Sequence, residues 1–185
     1  MADNTTTVPT AAINSSNCTS TPSTANPAVV DKYKCLLVGD ADVGKTVYVR
    51  RHVTGDFTKK YQATLGLNVQ PLSFCTDHGV VVFDMWDCGD LDYGLIHASM
   101  KENALVDYCA DADCVILMYD CTSKQSRAGV EGWIKQLNSV FGVNDDGLCK
   151  IPVIIAGNKV DRPIKGTSIR PKGNDNYYLF GVSSV

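Results

Sequence analysis

Two short stretches of the chain carry residue types that could bind a charged ligand. The first, Gly39-Asp-Ala-Asp-Val-Gly-Lys-Thr46, fits the pattern G-x-x-x-x-G-K-[ST] and directly follows an apolar run, Tyr33 to Val38. Successive backbone N–H groups of such a loop point into a concave nest at a helix N-terminus, where the helix dipole also favours anions. Gly39 permits the turn out of the strand, and Gly44 lets the backbone approach phosphates closely. Lys45 supplies a point charge to the outer phosphates, and the Thr46 hydroxyl is a hard oxygen ligand for Mg2+. A chance glycine-rich turn would not set strand, loop and helix in this order. The run Asp40, Ala41, Asp42, Val43, Gly44, Lys45, Thr46 and Val47 therefore reads as a phosphate site.

The second stretch is Asn158-Lys-Val-Asp161, directly after Val153-Ile-Ile-Ala-Gly157. Guanine presents two N–H donors on its Watson–Crick edge, and one ionised carboxylate, here Asp161, can accept both. Adenine offers the opposite pattern and would leave a buried carboxylate unpaired. Asn158 can bond both base and backbone, and the Lys159 stem can cover the ring. Alone, the tetrapeptide is a common polar turn. Downstream of a phosphate loop, it names the ligand as GTP or GDP with Mg2+. Asp42 is the discordant residue, because it puts an acid inside the nest. Two unit charges ~4 Å apart interact by ~1 kcal/mol in water and ~4 kcal/mol at an effective dielectric of 20. Its side chain is expected to turn to solvent.

These residues need a scaffold, and the apolar pattern supplies one. Tyr33–Val38, Cys114–Tyr119 and Val153–Ala156 read as buried strands, and Lys45–Val53 as the helix after the loop. Val69–Phe74 and Val80–Trp86 read as two strands joined at Thr76-Asp-His-Gly79, with Pro71 placing the first at a sheet edge. Val130, Trp133, Ile134, Leu137 and Phe141 recur at helical spacing and give one core-facing stripe, in which Trp133 reads as packing. The segment Arg162 to Asn176 reads as a loop, Tyr177–Val182 as a last strand, and no helix follows. The expected class is an α/β phosphate-loop fold, a mostly parallel central sheet with helices on both faces.

Bulk properties agree with one globular domain. The chain has 185 residues, 44% of them hydrophobic, and a formal charge of −3, with no basic excess suited to direct nucleic-acid binding. Residues 1–29, rich in Thr, Ser, Asn, Ala and Pro, are expected to be a disordered tail preceding a domain over 30–185. The start of the chain lacks a basic-then-apolar leader, no stretch is long and apolar enough for a bilayer, and no prenylation cysteine ends it. Eight cysteines without a C-x-x-C pair are expected to be reduced thiols.

With both sites in place, the chain from Lys32 to Ser184 resembles the Ras-type small GTPases, and among them the Ran-type branch. The resemblance rests on Arg50-Arg-His-Val-Thr-Gly-Asp-Phe-Thr-Lys-Lys-Tyr-Gln-Ala-Thr-Leu-Gly66, followed by Pro71-Leu-Ser-Phe74. It implies that Thr64 reaches Mg2+ and the γ-phosphate from the first switch. Lys60 and Tyr61 would lie near the nucleotide and its effectors. Asp87 would hold Mg2+ through water, and Thr46 would bind it directly. It also implies importin- and exportin-type transport receptors and an exchange factor as partners, a monomer without a membrane anchor, and residence in nucleus and cytoplasm.

The departures from the family bear on turnover. After Asp87 the family has Asp-x-x-Gly-Gln, whereas this chain has Asp87-Cys88-Gly89-Asp90-Leu91. Either one residue is deleted, putting Gly89 on the γ-phosphate and Asp90 in the catalytic glutamine position, or the register is kept and Leu91 falls there. Neither alignment restores the residue that orients the attacking water. Ala41 replaces a glycine that leaves room for that glutamine and for an activating arginine. Both changes point to weak hydrolysis. Extra residues occur around His97–Asp107 and Gly142–Cys149, and the box bordering guanine is reduced to Val182, Ser183 and Ser184. The family's last helix and acidic tail have no counterpart, which would expose one flank of the sheet. Two readings stand: a Ran-like nucleotide switch with impaired hydrolysis, and a non-cycling module that engages the same partners. An ATP-using phosphate-loop kinase is disfavoured by Asp161.

Overall fold

The computed structural model describes residues 29–55, 64, 67–77, 79–89, 102–145, 147–163 and 177–181. Among these, the elements in chain order are β1 (Val29–Val38), α1 (Lys45–Thr54), β2 (Leu67–Thr76), β3 (Gly79–Cys88), α2 (Glu102–Cys109), β4 (Cys114–Asp120), α3 (Lys124–Phe141), β5 (Val153–Asn158) and β6 (Tyr177–Gly181). The strands form one sheet in the order β2-β3-β1-β4-β5-β6. Only the β2–β3 hairpin is antiparallel; the other pairs are parallel. The expected mixed, mostly parallel α/β fold is what the chain forms.

Strand order decides where a ligand can sit. The chain moves from β1 to β3 on one side and to β4 on the other, so the order reverses at β1. In open sheets of this type the crevice beyond the strand carboxyl ends at such a reversal is the binding position. The loop that leaves β1 is the phosphate loop.

Each strand read from the sequence is present, and most are longer than their apolar run. β1 begins at Val29, and residues 1–28, where the tail is expected, lie outside the described residues. The hairpin closes with Thr76 opposite Gly79, where Thr76 Oγ1 donates to the Gly79 carbonyl at 2.8 Å. β2 is one of the two edge strands among the described residues, which is where Pro71, lacking an N–H, fits.

Burial follows the two faces of the central strands. Leu36 and Val38 face α3, and Leu37 faces α1; all three are fully buried. Val130, Trp133 and Leu137 of the predicted stripe are buried, and Ile134 and Phe141 pack partly buried against the same cluster. Each such side chain contributes about 1.5–3 kcal/mol on removal from water. α3 starts where Ser123 Oγ caps it by accepting from the Ser126 N–H at 3.2 Å. In the two stretches of extra residues, Glu102–Cys109 forms α2, and an isolated antiparallel bridge joins Val143 to Cys149.

The cysteines need one correction. Cys35, Cys88, Cys109, Cys114, Cys121 and Cys149 are free thiols, and burial pushes Cys88 up to about 12 and Cys109 to about 11, so neither is a nucleophile at neutral pH. Cys75 is instead disulfide-bonded. It sits exposed on the edge strand, where its sulfur is reachable, whereas five of the six free thiols are buried. Among the described residues no helix is long and apolar enough to cross a membrane.

Candidate nucleotide-binding site

Gly39 leaves β1 with φ 142, and a Cβ there would overlap the Met118 carbonyl oxygen. The glycine is needed as much for this close pass over β4 as for the turn. The loop ends at Gly44 (φ 100, ψ 20), which precedes α1 without any side-chain cap. The orphan N–H groups of the first turn are thus left to a ligand. Lys45 is buried and donates from Nζ to the Gly39 and Asp40 carbonyls at 2.7 and 2.8 Å, arching over the loop. Asp42 adopts φ 57, and its side chain is 70% exposed, with its carboxylate 3.6 Å from Lys159 Nζ.

Three oxygen-bearing side chains meet at the first turn of α1. Thr46 Oγ1 donates to Asp87 Oδ2 at 2.5 Å and lies 2.5 Å from Thr64 Oγ1. A hydroxyl has one proton, so Thr64 must be the donor to Thr46. Asp87 is completely buried, and its Oδ1 has no hydrogen-bond partner among the described residues. Burial pushes its carboxyl above the usual range, against the Thr46 hydrogen bond and the Lys45 charge that favour ionisation. A buried carboxylate with one unsatisfied oxygen is costly, and the donor set is all hard oxygen. The cluster therefore fits a divalent cation such as Mg2+, which Thr46, Thr64 and Asp87 would hold. Gly89 supports this placement, because a Cβ there would come within 2.5 Å of Thr64.

The second loop is stapled to the first. Asn158 is buried and donates from Nδ2 to the Val43 carbonyl at 2.8 Å, while its Oδ1 accepts from the Lys159 N–H at 2.8 Å. Lys159, at φ 62, donates from Nζ to the Asp42 carbonyl at 2.7 Å and pairs with Asp120 at 2.9 Å. Burial would raise the Asp120 carboxyl, but hydrogen bonds from Thr122 and Lys159 outweigh it and hold it below the usual range. Asp161 follows on the turn, its side chain 31% exposed and 4.0 Å from Arg162 Nε. The buried carboxylate invoked for rejecting adenine is therefore not formed by the described residues alone.

The Ras family model matches residues 34–170, well over half of the chain. The chain belongs to the Ras family. This Ras-family chain is thus a GTP-binding switch protein in the general sense of that family, whose members hydrolyse GTP and hold the nucleotide with Mg2+. The match spans the phosphate loop, Thr64, Asp87 and the Asn158–Asp161 turn but not Ser183 and Ser184.

Of the residues singled out from sequence, the fold brings Thr46, Thr64 and Asp87 together, and ties Asn158 and Lys159 to Val43 and Asp42. Lys60, Tyr61, Asp90, Leu91, Ser183 and Ser184 lie outside the described residues. Sequence reasoning missed Asp120, which fixes Lys159. The available signal was an acid closing the apolar run of β4, in register with Asn158. It also took Trp133 for packing alone, whereas its indole reaches the phosphate loop.

Proposed function

We propose that this chain is a Ran-type guanine-nucleotide switch of nucleocytoplasmic transport, present in nucleus and cytoplasm, with weak GTP hydrolysis. The observation that carries the nucleotide part is the meeting of Thr46, Thr64 and Asp87, whose second carboxylate oxygen is buried with no partner among the described residues. By resemblance Thr64 belongs to the first switch, so Thr46, Thr64 and Asp87 would hold a cation that, with a γ-phosphate bound, would tie that segment to α1. Loss of the γ-phosphate would remove one partner and let the segment go. The Ran assignment draws support from Lys59-Lys-Tyr-Gln-Ala-Thr-Leu-Gly66, a longer and more specific run than the phosphate loop.

In this reading the backbone amides of Asp40 to Val47, with the Lys45 ammonium and the Thr46 hydroxyl, hold the phosphates and their cation, with Gly89 at the γ-phosphate. Lys60 and Tyr61 flank the nucleotide. Asn158, Lys159, Asp161, Ser183 and Ser184 surround guanine. Thr64 positions the attacking water, with Asp90 or Leu91 where the family has glutamine. Weak hydrolysis follows from that missing glutamine and from Ala41. Importin- and exportin-type receptors and an exchange factor are the proposed partners, and the active species is a monomer.

The first test is the nucleotide released on denaturing the purified protein, whose mass gives base and phosphate count. Recovery of adenine nucleotides, or of none after refolding with GDP and Mg2+, defeats the reading. A single-turnover assay then measures hydrolysis, and a rate equal to that of ordinary family members overturns the weak-turnover claim. The substituted glutamine position also favours a second reading, a non-cycling module that titrates transport receptors. Equal receptor capture by GTP- and GDP-loaded protein would select it over the switch.

A further inference from the structure

The phosphate loop contains a second acid, Asp40, whose carboxylate is held by helix α3. Trp133 is 1% exposed, and its Nε1–H donates to Asp40 Oδ1 at 2.9 Å across 93 residues of sequence. One turn earlier on the same helix face stands Gly129, where a Cβ would lie 3.0 Å from Asp40 Oδ2 and 3.5 Å from Oδ1. Both carboxylate oxygens therefore rest against a notch made by a missing side chain, with an indole donor at its end. The main chain of the same residue is also engaged, since the Asp40 carbonyl accepts from Lys45 Nζ.

We propose that Trp133 and Gly129 latch the Asp40 carboxylate to α3, and so fix the first half of the phosphate loop and slow release of bound guanine nucleotide. Three physical points lead there. A buried indole N–H needs an acceptor, and a charged one makes a shorter, stronger bond than a neutral one. A carboxylate beside the phosphates would repel them, so an anchor that turns it onto α3 removes a penalty as well as adding a bond. Finally, the nest binds anions only while its amides converge, and Asp40 is the second residue of that nest. Trp133 is thus a positioning residue that acts through Asp40, and α3 becomes coupled to nucleotide residence. The proposal rests on the nucleotide-binding reading of the loop.

The test uses the full chain loaded with a fluorescent GDP analogue in Mg2+ and chased with unlabelled GDP. Trp133→Phe keeps an aromatic ring in the core but loses the donor, and is expected to speed release about tenfold, as loss of a charge-assisted hydrogen bond implies. Asp40→Ala should speed release comparably, and adding Trp133→Phe to it should cause no further change. If Trp133→Phe accelerates release equally with and without Asp40, the effect is packing and the latch is overturned. In the proton–nitrogen spectrum the Trp133 indole proton should move upfield in Asp40→Ala; an unmoved resonance also overturns it. Should Trp133→Phe fail to fold, Gly129→Ala, which crowds the carboxylate and leaves the indole in place, must speed release in the Asp40 background only. A wild-type chain that holds no GDP analogue sinks the nucleotide reading itself, whereas one that holds it and releases it no faster as Trp133→Phe sinks the latch alone.

Discussion

Replacing Asp87 by Asn should have opposite effects on the metal-stripped and the Mg2+-loaded protein. The Asp87 carboxylate is fully buried, one oxygen accepts from Thr46, and the other has no partner among the described residues. Leaving a buried acceptor unsatisfied costs about 1–3 kcal/mol, and more when it is charged. The amide of Asp87→Asn would keep an oxygen for Thr46 and discard the buried charge, while its NH2 takes the place of the unpartnered oxygen, so the gain is the difference between a charged and a neutral unsatisfied group, about 1 kcal/mol. At about 2–4 °C per kcal/mol for a chain of this length, that is a rise of about 2–4 °C in Tm. With GDP and Mg2+ the order should invert, because ligand at a hundred times its Kd stabilises the wild type by about 2.7 kcal/mol and the variant loses the charge that holds the cation.

The pH dependence follows from the same group. Asp87 has its folded-state carboxyl raised above the ordinary value of 3.8 by burial, so the native protein binds a proton more tightly than the unfolded chain. Its contribution to stability is complete below pH 3.8 and is lost as pH rises through the raised native value. Metal-stripped wild type should therefore lose stability over that window relative to Asp87→Asn, and Mg2+ should abolish the difference in slope. Urea denaturation with EDTA or Mg2+, repeated across pH, measures all of this. A variant that is less stable than wild type without metal, and equally stabilised by Mg2+, would refute the cation reading of the cluster.

Four further outcomes are expected. Asp161→Asn should weaken retention of guanine nucleotides by roughly tenfold to a hundredfold, the worth of hydrogen bonds to a charged group, as measured by competition between GDP and ADP. Lys45→Ala should abolish nucleotide carried through purification, because the ammonium that arches over the loop is its buried cation. Gly39→Ala should destabilise the fold by at least about 3 kcal/mol in urea denaturation, since its Cβ would overlap a β4 carbonyl and its φ is positive. Asp42→Gly should bind GDP up to about fivefold more tightly by titration, through loss of an exposed charge near the phosphates that Lys159 only partly offsets.

Much of the scaffold was legible because its signals are local. Cys114–Tyr119 and Val153–Ala156 are continuous apolar runs that lie between neighbouring strands, and the α3 stripe repeats at helical spacing. Pro71 located the edge strand through a missing donor. The helix Glu102–Cys109 was not legible, since its short segment carries little periodic contrast. Cys75 escaped for another reason: whether a thiol is paired depends on what approaches it in space, not on its neighbours in sequence.

The sequence by itself determined which ligand chemistry this chain offers. A nest of amides ending in Lys45 and Thr46, and an acid three residues after Asn158, are contiguous groups whose spacing along the backbone fixes what they can bind. Tertiary structure alone decided how those groups are aimed and restrained. Asp87 meets Thr46 because parallel pairing sets Leu37 of β1 opposite Asp87 of β3, a register that no local pattern encodes. Likewise Asn158 reaches Val43 across 115 residues, and Trp133 reaches Asp40 across 93. Such contacts depend on which strands and helices become neighbours, and that is settled by burial of the whole sheet rather than by any one segment.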